Sequence, residues 1–86
     1  MALTLMARPK GPQVRQLRLR KGWTQAELAR RIRRTQAAIS KAESGKPVSH
    51  TLMRQVAKAL QVEFSEIADL ALPAEDIEDE PLQRTG

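Results

Sequence analysis

The chain has no cysteine, so disulfides and thiolate metal sites are excluded. With a single histidine, His50, no metal and no cofactor are expected. Aromatics are scarce: one Trp, one Phe and no Tyr leave Leu, Ile, Val, Met and Ala to build the core. No apolar run approaches the ~20 residues of a membrane-spanning helix. The opening MALTLMARPK is too short and too weakly apolar for a secretory signal, so a cytoplasmic protein is expected. No Val/Ile/Thr-rich alternating run marks a strand, so the expected class is all-α. Catalytic patterns are missing too: there is no Cys nucleophile, no Ser-His-acid arrangement and no glycine-rich phosphate loop. No enzyme is expected.

What is present is charge, and it is unevenly placed. Residues 1–60 hold 14 Lys or Arg and 2 acids, a net +12, whereas residues 61–86 hold 1 and 8, a net −7. A basic body with an acidic end is a common layout for nucleic-acid binders, although solvated surface charge alone would also produce it. With 86 residues, one small domain is expected. Residues 1–12 read as a flexible basic arm, because Pro9, Gly11 and Pro12 discourage regular structure. Arg8 and Lys10 on it could track a DNA groove. Residues 13–72 read as the folded domain. Residues 73–86 hold five acids, two prolines and no periodicity, and are expected to be an acidic, disordered tail. They lack the glycine and spacing of a calcium loop.

Five helices are expected. The first covers 13–21, with Pro12 in its first turn and Gly22 past its end. Val14 and Leu17 face inward, while Leu19 falls on the opposite side. The second starts at a capping box, Thr24 with Glu27, and turns Leu28, Ala29 and Ile32 to one face. Trp23 precedes the cap and suits a hydrophobic staple. The third runs from about Gln36 to Glu43 with Thr35 as N-cap and Gly45 as terminator. At 100° per residue, Ala38, Ile39 and Ala42 share one side; Gln36, Ala37, Ser40 and Lys41 share the other. The fourth covers about 50–60, with Leu52, Met53, Val56, Ala57 and Leu60 as its stripe. Ser65 is expected to cap a fifth helix carrying Ile67, Ala68 and Leu70, ended by Pro73.

Helices two and three, joined by a tight turn on a basic chain, suit docking of the third helix in a DNA major groove. Arg30, Arg31, Arg33 and Arg34 crowd that turn. Cations near a helix C-terminus stabilise its dipole by about 0.3–1 kcal/mol, which accounts for one or two of them. Four together repel one another and point to a phosphate partner.

Three words in order, VRQLRLRKGWTQAELARRI, TQAAISKAESGK and TLMRQVAKALQVEFSEI, carry a resemblance. From Val14 to Ile67 the chain resembles the Cro and phage-repressor type of helix-turn-helix domain, the xenobiotic-response-element class of regulators. The resemblance implies a five-helix domain that binds operator DNA as a symmetric homodimer, with the third helix reading bases. Gln25 matches the family's phosphate-contacting Gln. Gln36, Ala37, Ser40 and Lys41 match base-reading positions. Arg18 and Glu43 match a structural ion pair between helices one and three. Arg33 stands where many relatives have Gly, and Arg34 where an apolar or small hydroxyl residue is common.

Chemistry ranks these candidates. Gln36 can pair bidentately with adenine, Lys41 serves phosphate or guanine equally, and Ala37 can touch a thymine methyl. The full expected DNA set is Gln25, Arg33, Arg34, Thr35, Gln36, Ala37, Ser40, Lys41 and Lys46. Phe64, Ile67 and Leu70 are the expected dimer surface, because the third helix must stay free for DNA. The reading is therefore a nucleoid-associated regulator, a repressor on a palindromic double-stranded operator. The alternative is an antitoxin or adaptor acting mainly through a protein partner such as a toxin, with Ile77 and Leu82 in the tail as partner residues.

Overall fold

The computed structural model describes residues 5–71. Within them run β1 (Met6–Pro9), α1 (Gly11–Arg20), α2 (Gln25–Arg31), α3 (Gln36–Glu43), β2 (Val48–Ser49), α4 (His50–Leu60), α5 (Phe64–Ile67) and β3 (Ala68–Ala71). The expected acidic tail lies outside the described residues. No described helix is long and apolar enough to cross a membrane.

Local chemistry sets the helix boundaries. Thr24 Oγ1 accepts from the Glu27 amide at 3.0 Å, and Glu27 Oε1 accepts from the Thr24 amide at 2.7 Å, completing the capping box. That amide holds the Glu27 carboxyl below its ordinary pKa; the Thr24 hydroxyl and the charges of Arg30 and Arg31 pull the same way, against a smaller opposing effect of desolvation. Thr35 Oγ1 caps α3 by accepting from the Ala38 amide at 3.2 Å, and Ser49 Oγ caps α4 by accepting from the Leu52 amide at 3.1 Å. Gly22 and Gly45 take positive φ after α1 and α3.

The apolar stripes meet in one core. Val14, Leu28, Ile39, Met53, Val56 and Ile67 are its largest fully buried side chains. Trp23, Leu17 and Ile32 pack partly buried against it. The first residue of α1, Gly11, has to be glycine because no side chain fits there. A Cβ would lie 2.1 Å from the Glu43 carbonyl oxygen, in the backbone at the end of α3.

Several expectations about the ends of the domain are corrected. The fold is mostly helical but not all-α, since β1 is the central strand of a three-stranded antiparallel sheet ordered β2-β1-β3. Residues 6–9 are therefore not a flexible arm. Met6 pairs with Ser49 on one side and Ala71 on the other, and Pro9 pairs with Ala68. Ala7 is fully buried, and the Lys10 amide extends the pairing by donating to the Ile67 carbonyl at 2.7 Å. α1 accordingly starts at Gly11 rather than 13. Likewise α5 is only four residues long and is entered from Glu63, not Ser65, with the Glu63 amide donating to Glu66 at 3.0 Å. Ala68 and Leu70 belong to β3.

The α2–α3 turn requires a left-handed residue, and Arg33 takes it at φ 59°. Without glycine this costs on the order of 1 kcal/mol. Arg33→Gly is therefore expected to raise stability by about that amount in urea melts. An unchanged or lower midpoint would show that the Arg33 side chain contributes more than the backbone strain removes.

Candidate nucleic-acid interface

α3 is anchored from behind. Ile39 and Ala42 are fully buried, and Ala38 is partly covered. The small alanines let α3 lie close to α2. This fixes the rotation of the helix, so that Gln36, Ala37, Ser40 and Lys41 all face outward and exposed. Two side chains that accept and donate hydrogen bonds, one cation and one methyl thus share a ridge about one and a half turns long.

A second anchor lies at the C-terminal end of α3. Arg18 Nε donates to Glu43 Oε2 at 2.5 Å and Nη2 to Glu43 Oε1 at 3.1 Å. Arg18 Nη1 donates to the Trp23 carbonyl at 2.7 Å. The side chains of Arg18 and Glu43 are only 8 % and 5 % exposed, so the pair is buried and bidentate. Gln25 joins it, its Nε2 donating to Glu43 Oε1 at 3.1 Å. One carboxylate therefore ties α1, the start of α2 and the end of α3 together. Gln25, expected on phosphate, sits half-buried where this network fixes its orientation.

The basic side chains of the turn divide into distinct roles. Arg31 lies over the Trp23 ring, 4.2 Å from its centroid, and Lys21 approaches the same ring at 5.6 Å. Trp23 is thus a packing and stacking residue. Arg34 is exposed and its Nε donates to Gln55 Oε1 of α4 at 3.0 Å. Arg30 and Arg33 are exposed. Thr35 is exposed as well, with its hydroxyl used as the α3 cap. Lys46 is exposed in the α3–β2 loop. Arg8 belongs to β1, opposite Asp69, and Lys10 Nζ donates to the Ser65 carbonyl at 3.2 Å.

The expected dimer trio does not form one surface. Ile67 is fully buried, because the short α5 turns it into the core. Phe64 is half-buried and stacks on His50, ring centroids 4.6 Å apart. Only Leu70, half exposed on β3, is open. Sequence reasoning also overlooked the outward face of α4, where Arg54 and Lys58 stand exposed one turn apart and Lys58 lines a groove with Arg31 and Arg33. The i, i+4 spacing of these cations was the available signal, overshadowed by the apolar stripe on the same helix.

The helix-turn-helix family model matches residues 14–67, from the middle of α1 to the end of α5. Among solved structures the chain is similar to the crystal structure of the transcriptional regulator VanUg, at 17% identity and a TM-score of 0.61. That likeness covers 77% of this chain and 88% of the other. No curated protein matches the chain.

Proposed function

Because the chain belongs to the Cro/C1-type helix-turn-helix family, a family of DNA-binding transcription regulators, we propose that it acts as a repressor, docking α3 in the major groove of a palindromic operator. The observation that carries this reading is the orientation of α3. Its inner face is held by Ile39, Ala42 and the Glu43 network, and its outer face offers Gln36, Ala37, Ser40 and Lys41 to a partner. Gln36 reads adenine, Ala37 touches a thymine methyl, and Ser40 and Lys41 complete the contact. Arg33, Arg34, Thr35 and Lys46 flank that ridge and hold phosphates, which sets register without reading sequence. Gln25 contributes a phosphate contact from the start of α2 while Glu43 fixes its side chain.

The working unit is a homodimer spanning half-sites about one helical turn apart. Its surface includes Leu70 and the exposed part of Phe64, with Ile67 supporting from the core. Occupancy of the operator in the cytoplasm blocks polymerase, and no catalytic step is involved.

The test separates base reading from phosphate binding. Randomised duplexes are selected with the full chain, and the best one is varied base by base. Gln36→Ala is expected to cost about 1–3 kcal/mol at one position of each half-site and to relax preference there. Arg34→Ala is expected to weaken all duplexes alike and to shallow the salt dependence. Equal, sequence-independent losses from both would remove Gln36 as a base reader.

A further inference from the structure

The outward side of α4 carries a second basic surface that the base-reading ridge does not use. His50, Arg54 and Lys58 follow one another at i, i+4 spacing, with Thr51 and Gln55 beside them. At 1.5 Å per residue they form a stripe about 12 Å long. Arg31 and Arg33 of the α2–α3 turn line one groove with Gln55 and Lys58, and Arg34 reaches α4 through Gln55. The stripe is therefore continuous with the turn cations. Among the described residues, Arg33, Arg54 and Lys58 form no ion pair. At the far end Glu63 lines a groove with Arg54 and Lys58.

The sheet register brings a particular segment of the same chain to this surface. Ser49 and Ala71 both lie opposite Met6, on either side of β1. Two strand spacings of about 4.8 Å put them about 10 Å apart. β2 and β3 are both antiparallel to β1, so they run in the same direction and leave the sheet at the same end. β2 passes directly into α4, with Ser49 as its cap. Ala71, the last described residue, thus lies beside the N-terminus of α4. Glu75 follows four residues later, within about 14 Å of extended chain. Glu75, Asp76, Glu78, Asp79 and Glu80 then place five acids in six residues, enough to run the length of the stripe. Another exposed pair of cations, Arg15 and Arg20 around Leu19, is on α1. That helix follows Pro9, which pairs with Ala68 at the opposite end of β3.

We propose that residues 75–80 dock on the His50, Arg54 and Lys58 stripe and the adjoining turn arginines, acting as an internal substitute for DNA phosphate. A short tether gives such a segment an effective concentration in the millimolar range, so even a weak ionic contact is well populated. The docked acids compete for Arg33 and Arg34. This competitive consequence rests on the DNA-binding reading, whereas the docking itself does not. The repulsion of a wandering acidic tail would act without contact, and the two are separable by experiment.

The experiment compares amide nitrogen–proton NMR spectra of the full chain and of a full-length variant carrying E75Q, D76N, E78Q, D79N and E80Q. Expected are shift differences concentrated at residues 31–34 and 50–58, independent of protein concentration. They should disappear near 1 M salt, where the Debye length is about 3 Å. They should also shrink when the same comparison is made in an R54Q/K58Q background. Differences confined to the substituted segment, centred on α1, or growing with protein concentration would overturn the proposal. In parallel, the neutralised variant is expected to bind a random-sequence duplex about 3–10-fold tighter at low salt. Tighter binding without shifts on α4 would mean repulsion alone and would also overturn docking. Failure of both chains to bind any duplex would count against the DNA reading, while the spectra would still decide the docking.

Discussion

Glu43→Ala is expected to be strongly destabilising, on a par with truncating a fully buried core side chain. The carboxylate accepts from Arg18 Nε and Nη2 and from Gln25 Nε2, in a site where both charged side chains are less than a tenth exposed. Its removal strands the Arg18 guanidinium, leaving it only the Trp23 carbonyl. Breaking a buried pair in this way costs about 3–5 kcal/mol. Domains have total stabilities of about 5–15 kcal/mol, and one this small sits toward the low end. At about 4–8 °C per kcal/mol, Tm should fall by at least about 12 °C. The loss reflects the stranded charge more than the worth of the pair, so replacing both residues should be milder. Arg18→Met combined with Glu43→Leu is expected to recover much of the Tm. Equal melts for the parent and Glu43→Ala would show that the pair contributes nothing to holding α3 in place.

The second large effect concerns salt. The net +12 of residues 1–60, with Arg33, Arg34, Lys41 and Lys46 exposed around α3, implies that binding displaces counterions from many phosphates. If a dimer covers ~6–10 phosphates, affinity should fall by ~10³–10⁵ between about 50 and 200 mM salt. Fluorescence anisotropy with a labelled duplex measures that slope. A flat titration would leave the turn arginines without a phosphate role.

Much of the helical scaffold was legible because its signals are local. The Thr24 and Glu27 capping box, the Thr35 cap and Gly45 each act within one turn, and all three stand where expected. The division of α3 into an Ile39 and Ala42 face and a Gln36 and Ser40 face follows from 3.6-residue periodicity alone. The Arg18 and Glu43 pair was not legible from spacing. Its partners lie 25 residues apart with α2 between their helices, and only the family resemblance pointed to it.

The sheet was hidden for a different reason. β1 is Met-Ala-Arg-Pro and β2 is Val-Ser, and neither has the alternation or β-branched content of a recognisable strand. Their pairing is set by long-range contact, with Ala7 buried beneath and Lys10 tied to Ile67. Gly11 was misread for a related reason. It looked like a breaker of structure, yet it is the point where α1 presses on the Glu43 backbone. Close approach between distant segments leaves no trace in local pattern. The burial of Ile67 was hidden for the same cause: a helix of four residues has no reliable face, and the sheet that follows turns its side chain inward.

The most direct test of the account is an NMR titration of the full chain with the duplex enriched by selection. If α3 enters the major groove, the largest amide shifts and line broadening should fall at Gln36, Ala37, Ser40 and Lys41, with smaller changes at Arg33, Arg34 and Lys46. Unshifted α3 amides, with the changes collected on the outer face of α1 around Arg15, Leu19 and Arg20, would contradict it.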